Sequence, residues 1–370
     1  MEEIVKYFIF ILIASLVLEK VEAEVLLNSG QQLGKAIFFD TELSSPPGQS
    51  CATCHQPNIA FSNSNIVHSG ADSNKFANRN TPSLSYVSNT PAFKYDTIEG
   101  NVVSVGGFFW DGRAKSFEDQ VLQPFINPLE MGIPRLENLV AKIKKRPYFK
   151  SLLKQYRISP HSQADILNGI KKTLIDYMSG PEFNKFNSKY DHWLTGQAKF
   201  TLEERHGMLL FERVDKGNCA ACHTLKRQHV HDKPLFTDFT YDNIGVPKNT
   251  NNPFYQVPET VNPLGINYID YGLGNTNRIK DKRYLGMFKV PTLRNVEVTA
   301  PYMHNGVFST LKEVVEFYNS RDKTDQWGAP EVPYNVNDTE LGNLSLTEIE
   351  IEALVAFLKT LTDDYEEENK

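Results

Sequence analysis

Apolar residues recur at helical spacing behind recognisable caps along much of this chain. In residues 164–178, Ile166, Leu167, Ile170, Leu174 and Tyr177 fall on one face, which predicts a helix that Gly180-Pro181 stops. Ser116 with Asp119 three residues on predicts a short helix over 116–122, ended by Pro124. Thr201-Leu-Glu-Glu204 is a capping box followed by Met208, Leu209, Leu210 and Phe211. Thr310-Leu-Lys-Glu313 opens a helix through Tyr318. Ser345-Leu-Thr-Glu348 opens a last one, in which Ile351, Leu354, Val355 and Leu358 share a face. Residues 44–90 are rich in Asn, Ser and Pro, and residues 226–287 in Asn, Pro and Tyr; both read as long loops. Apart from one short motif, no tandem repeat shows. The pattern predicts a mostly α fold with little sheet, in two parts that meet near Gly196.

At 370 residues, 40% hydrophobic, the chain is long enough for two domains with real cores. A net charge of -6 argues against nucleic acid as a partner. Tyr7 to Leu18 is an unbroken run of apolar or small residues, followed by Val21-Glu22-Ala23. Small residues at the -3 and -1 positions fit a signal peptide over 1–23, cleaved after Ala23. Glu2 and Glu3 weaken the basic n-region, which leaves an uncleaved anchor as the alternative. Either way, the body of the protein is expected to be exported, to a periplasmic location.

The cysteines decide the chemistry. All four fall in two copies of one pattern: Cys51-Ala-Thr-Cys54-His55 and Cys219-Ala-Ala-Cys222-His223. C-x-x-C-H is the attachment signature of c-type haem. Two thiols reach the two vinyl groups of one porphyrin, and the next residue presents an imidazole to the iron. A disulfide pair or a zinc site would need the cysteines but not the adjacent histidine. Two covalently bound haems are therefore expected, with His55 and His223 as proximal ligands.

Longer blocks then stand out. Arg79-Asn80-Thr81-Pro82 is one; Phe109-Trp110-Asp111-Gly112-Arg113-Ala114 followed by Glu118 is another. Asn127-Pro128-Leu129-Glu130-Met131-Gly132 and Lys289-Val290-Pro291-Thr292-Leu293-Arg294-Asn295, running into Ala300-Pro301-Tyr302-Met303-His304-Asn305-Gly306, complete the set. With both haem motifs, these blocks resemble the bacterial di-haem cytochrome c peroxidase family across nearly the whole chain after Ala23. That family includes peroxidases proper and the MauG branch, which oxidises residues of a partner protein. The resemblance implies two cytochrome c-like haem domains, over 24–196 and 197–370. It makes the N-terminal haem peroxidatic and the C-terminal haem the one that passes electrons to it. It also implies a calcium ion held by the Asn80 side chain and the carbonyls of Thr299 and Pro301, hard oxygen donors that suit calcium.

The same resemblance makes Glu118 the catalytic acid–base group; read alone, a Glu in a first helical turn simply favours the helix dipole. Phe108 departs from the family, which usually has a Gln there to hold the distal water or peroxide. His68, thirteen residues after His55, matches a loop histidine that caps the N-terminal iron in resting peroxidases, though a surface-loop role fits equally. Tyr318, fourteen residues after His304, matches the position of the C-terminal iron ligand, a Met in the peroxidases and a Tyr in MauG. A half-buried tyrosine on an amphipathic helix is the plainer alternative, and Met287 and Met303 are rival ligands by type. Tyr86, Phe93 and Tyr95 are candidates for an aromatic bridge between the haems.

The expected function is an oxidoreductase of the cytochrome-c peroxidase type. It would reduce hydrogen peroxide with electrons from a small cytochrome c or cupredoxin. A MauG-like enzyme acting on Trp or Tyr of a partner protein is the nearest alternative, toward which Tyr318 and Phe108 lean. A non-enzymatic di-haem electron carrier is the third, and it would need a protein ligand on the far side of both irons. Homodimerisation is left open.

Overall fold

Capping residues set where the helices begin. The computed structural model describes residues 27–98, 100–225, 233–277 and 279–366, so the expected signal peptide lies outside the described residues. In the first half, α1 (Ser29–Phe38) starts from an Asn28–Gln31 capping box. The haem-motif turn α2 is Cys51–Cys54, and a hairpin pairs β1 (Lys94–Ile98) with β2 (Asn101–Val105). Two short helices follow, α3 (Phe117–Gln120), capped by Ser116 as expected, and α4 (Gln123–Ile126). Then come α5 (Leu136–Ile143), α6 (Phe149–Tyr156) and α7 (Gln163–Met178).

The second half holds α8 (Lys189–Leu194), α9 (Leu202–Glu212), the two-residue strands β3 (Tyr241–Asp242) and β4 (Phe288–Lys289), α10 (Leu311–Ser320) and α11 (Glu348–Lys359). The boxes at Thr201–Glu204 and Thr310–Glu313 both form. The last helix starts later than the sequence suggested, because its box is Thr347–Glu350. Ser345 instead takes a left-handed turn (φ 54°) that lets Leu346 bury beside Ile351, a hydrophobic staple that fixes the helix entry.

The fold is mostly α, and its only sheets among the described residues are two antiparallel pairs. One apolar cluster gathers α1 and α3 to α7 around Phe38, Phe125, Leu139, Ile170 and Tyr177. A second gathers α8 to α11 around Phe211, Phe236, Leu354 and Phe357. The chain passes from one cluster to the other between Phe183 and Tyr190. No helix among the described residues is long and apolar enough to cross a membrane.

Two haem pockets and the wall between them

Each C-x-x-C-H segment forms a single tight turn, and its histidine is then fixed by a backbone carbonyl. His55 Nδ1 meets Phe61 O at 2.9 Å, and His223 Nδ1 meets Phe236 O at 2.9 Å. A carbonyl can only accept, so Nδ1 carries the proton and Nε2 keeps its lone pair. Burial draws both imidazoles down to about 4, so they are neutral and competent to bind a metal. The same burial pushes the Cys51 and Cys219 thiols up to about 12. All four cysteines are free and half-buried. A connected cavity of about 440 Å³ is lined by Cys54 and His55 at one end and by Cys219, Cys222 and His223 at the other. Two thiols and one neutral, oriented imidazole at each end fit a c-type haem in each pocket.

The two ends are built to one plan, which corrects the expectation that the haem motif alone repeats. Phe61 and Phe236, whose carbonyls accept from the two histidines, both sit at positive φ (56° and 52°). Further on, Pro82-Ser83-Leu84 matches Pro291-Thr292-Leu293. The Ser83 and Thr292 hydroxyls each accept from the backbone N–H two residues on. Tyr86 and Asn295 then take the same left-handed turn (φ 64° and 63°), and both donate to Asp363. Next, Phe108 N–H donates to Ala114 O at 2.9 Å and Tyr302 N–H to Phe308 O at 2.8 Å, closing two matching seven-residue turns. Gly112 and Gly306 hold positive φ in them (62° and 64°). A Cβ on Gly112 would strike the Tyr241 hydroxyl, and one on Gly306 would crowd Ile66 O, so each turn presses into the opposite half. A Ser- or Thr-capped helix follows each turn: α3 from Ser116 and α10 from Thr310.

Fourteen residues past Trp110 and His304, the matching helix positions part company: Pro124 in the first half, Tyr318 in the second. Both line the cavity. Proline offers no ligand atom, and it splits the helix into α3 and α4 where α10 runs unbroken. Tyr318 is half-buried, and burial together with the Cys219 and Cys222 thiols raises its hydroxyl well above the ordinary tyrosine range. Of the rival ligands, Met303 lines the cavity, whereas Met287 packs into a small separate cluster with Phe93 and Tyr241.

Glu118, the expected acid–base group, stands in the first turn of α3. It lies on the exposed side of α3 and does not line the cavity, as its counterpart Lys312 lies on the outside of α10, bonded to Glu348 and Glu352. Helical geometry explains this, since α3 turns Phe117 and Val121 inward and thereby Glu118 outward. The carboxylate that does line the N-terminal pocket is Glu130. It accepts from Asn127 Nδ2 at 2.7 Å, and burial raises its pKa against the pull of Arg113. Gln120 lines the same wall. Phe108 is buried and stacked on Phe117 at 5.0 Å, which leaves that side of the pocket apolar. His68 is half-buried and lines the cavity, with Nδ1 2.6 Å from Ser69 O, so it is not a surface-loop residue.

Between the pockets, Asn80 is held by both matching turns. Its N–H donates to His304 O at 2.8 Å, and its carbonyl accepts from Trp110 Nε1 at 2.9 Å. Its side-chain nitrogen donates to Asn65 O and Ile66 O, which leaves Oδ1 for another partner. Thr299 and Pro301 line the same cavity. Beside Asn80, Arg79 bridges Asp111 of the first half (2.7 Å) and Asp270 of the second (2.6 Å). Burial opposes charge on Asp270, but Arg79 outweighs it and holds that carboxylate well below its usual range. Arg294 is fully buried, pairs with Asp191 at 2.9 Å and lies 5.0 Å from the ring of Tyr86, another cavity-lining residue.

Comparison with known proteins agrees with this arrangement. The family model for di-haem cytochrome c peroxidase matches residues 28–199. The methylamine utilization protein MauG of Paracoccus denitrificans is 37% identical over 90% of this chain and 88% of that protein. The cytochrome-c peroxidase IdrP2 of Denitromonas iodatirespirans is 29% identical over 90% of this chain and 81% of that protein. Among solved structures, the diheme peroxidase BthA of Burkholderia thailandensis superposes with a TM-score of 0.78 at 31% identity, covering 92% of this chain and 88% of that one. With its two haem motifs, its paired pockets and these relatives, the chain is a di-haem oxidoreductase that belongs to the cytochrome c peroxidase/MauG family.

Proposed function

We propose that the chain is a periplasmic peroxidase that reduces hydrogen peroxide to water in its N-terminal pocket. Electrons enter through the C-terminal pocket from a small cytochrome c or cupredoxin. The observation that carries this is the pair Pro124 and Tyr318: one pocket offers no protein ligand at the far-side position and the other offers a phenol. The first apolar cluster, up to Phe183, then serves the peroxidatic domain and the second, from Tyr190, the electron-transfer domain. Cys51, Cys54 and His55 hold one haem, and Cys219, Cys222, His223 and Tyr318 the other. When bound, the haems supply the iron that takes peroxide and the redox equivalents that reduce it.

The protein's own groups do the rest. Glu130, with its raised pKa and its place in the pocket wall, holds a proton for the peroxide oxygens, in place of the outward-facing Glu118. Arg113 and Asn127 steady its carboxylate. The apolar face of Phe108 and Phe117 keeps bulk water away. His68, its Nδ1 fixed by the Ser69 carbonyl, lines this pocket without closing it. Asn80, Thr299 and Pro301 bind a calcium ion that ties the two turns together.

A second reading rests on Tyr318. A phenolate is a hard anion that favours ferric iron, so a His/Tyr haem is a poor acceptor from ordinary donors. The electrons would then come from Trp or Tyr side chains of a partner protein. Steady-state peroxide consumption decides between the two. Turnover with a reduced cytochrome c or cupredoxin supports the peroxidase; turnover only with a partner protein, whose aromatic residues become oxidised, supports the second. An electron carrier without enzymatic activity would consume no peroxide, and Pro124 speaks against it.

A further inference from the structure

We propose that the β1–β2 hairpin, together with the 279–284 loop, is the docking surface for an acidic redox protein, and that Tyr95 is where its electrons enter. This rests on the peroxidase reading above and adds the kind of donor and its route.

Apolar side chains are exposed on the hairpin, Tyr95 by 55% and Val102 by 66%. They share a shallow pocket with Ile279, Lys280, Arg283 and Tyr284. Exposed apolar residues grouped around a groove mark interaction sites. The rim is basic. Lys94 pairs with Asp96 and Arg283 with Asp281, which cancels those charges. Lys280 and Lys282 are exposed and form no ion pair among the described residues. On a protein whose net charge is -6, this local excess of positive charge selects an acidic partner rather than a basic one.

The groove also leads inward. The ring of Tyr95 lies 5.6 Å from buried Phe93, and Phe93 lies 6.1 Å from buried Tyr241. Tyr241 Oη donates to Gly106 O at 2.5 Å, and its backbone pairs with Lys289 in the β3–β4 ladder. Lys289 lines the cavity, donates to Gly107 O and sits 5.7 Å from the ring of Phe108. Three aromatic rings in sequence therefore join an exposed, basic-rimmed patch to the wall shared by both pockets. The rings would serve as a tunnelling path from the partner's reduced centre toward the cavity that would hold the haems. Hydrogen peroxide with two protons and two electrons, one from each of two partner molecules in turn, gives two waters and leaves both partner molecules oxidised.

The test compares peroxide turnover by the haem-loaded protein with three reductants: a reduced acidic cupredoxin, a reduced basic cytochrome c and a small-molecule reductant. The acidic protein should be the better donor, with a rate that falls as salt rises. Lys280→Glu with Lys282→Glu should raise the KM for the acidic donor by about tenfold or more. Tyr95→Ala should lower kcat with that donor. Neither change should alter turnover with the small reductant or the haem spectra, which also shows that the variants are folded. Preference for the basic cytochrome, or unchanged kinetics of these variants with the acidic cupredoxin, would overturn the docking surface. Failure of the small reductant to support any turnover would instead overturn the peroxidase reading itself.

Discussion

The two pockets share a histidine fixed to a left-handed phenylalanine, a Pro-[Ser/Thr]-Leu bend, a glycine turn and a capped helix. Against that common frame their differences are few. The helix position facing the cavity is proline in one and tyrosine in the other. A half-buried carboxylate, Glu130, stands beside the first, whereas Asp242 and Glu340 stand beside Cys222 in the second. On the proposed reading, one changed far-side residue in a repeated pocket separates a site that reacts from a site that conducts. A metal centre held by protein on both faces transfers electrons, and one with an open face does chemistry.

The largest effect should come from abolishing the difference. Pro124→Met places a thioether where the first pocket has none. Peroxide consumption should all but cease while both haems stay attached, measured by turnover and by haem mass on the denatured chain. Activity near the parent level would mean that position 124 does not face the iron.

Next, Glu130→Gln should slow the reaction with peroxide by about a hundredfold or more, the usual scale for losing a general acid–base group. Glu118→Gln should stay near the parent rate. The reverse ranking in stopped-flow measurements would restore Glu118 to the role its motif suggested.

The wall between the pockets gives a smaller, structural effect. Arg79→Leu leaves Asp111 and Asp270 buried without their shared cation, which should cost about 3–5 kcal/mol of stability. The pH dependence has a definite sign. Asp270 is depressed in the folded state, so its contribution is complete above the ordinary carboxylate range, about pH 4, and is lost as pH falls below it. Denaturant melts across pH 3 to 7 should show the parent losing stability on acidification and Arg79→Leu losing less. Parallel curves would remove the bridge from the account of stability.

Smaller still, chelation of calcium should loosen the contact around Asn80 and slow electron transfer between the haems, followed by flash reduction. Unchanged transfer in protein shown to be free of calcium would leave Asn80 as a purely hydrogen-bonded strut.

Much of this was legible in the chain because the signals were local. The haem motifs and the caps at Ser116, Thr201 and Thr310 each depend on residues within one turn. The last helix was misplaced by two residues because Ser345 and Thr347 both stand three before a glutamate. Only the burial of Leu346 and Ile351 chooses between them. The hairpin was missed although Val102, Val103 and Val105 hinted at a strand. The internal repeat was hidden because its matching residues differ in kind, Tyr86 with Asn295 and Trp110 with His304, and only their backbone angles and partners agree. The direction in which Glu118 faces was hidden for a related reason. A motif gives a residue's place along the helix, but the buried neighbours Phe117 and Val121 decide which way it faces.

The asymmetry of the pockets can be measured directly by titrating the ferric protein with cyanide while recording its electron paramagnetic resonance spectrum. An open first pocket and a Tyr318-ligated second one predict a high-spin signal that converts on binding one cyanide per chain, beside a low-spin signal that does not change. In Tyr318→Phe, a second cyanide should bind and the original low-spin signal should be gone. Uptake of two cyanides by the parent protein, or an intact low-spin signal in Tyr318→Phe, would contradict it.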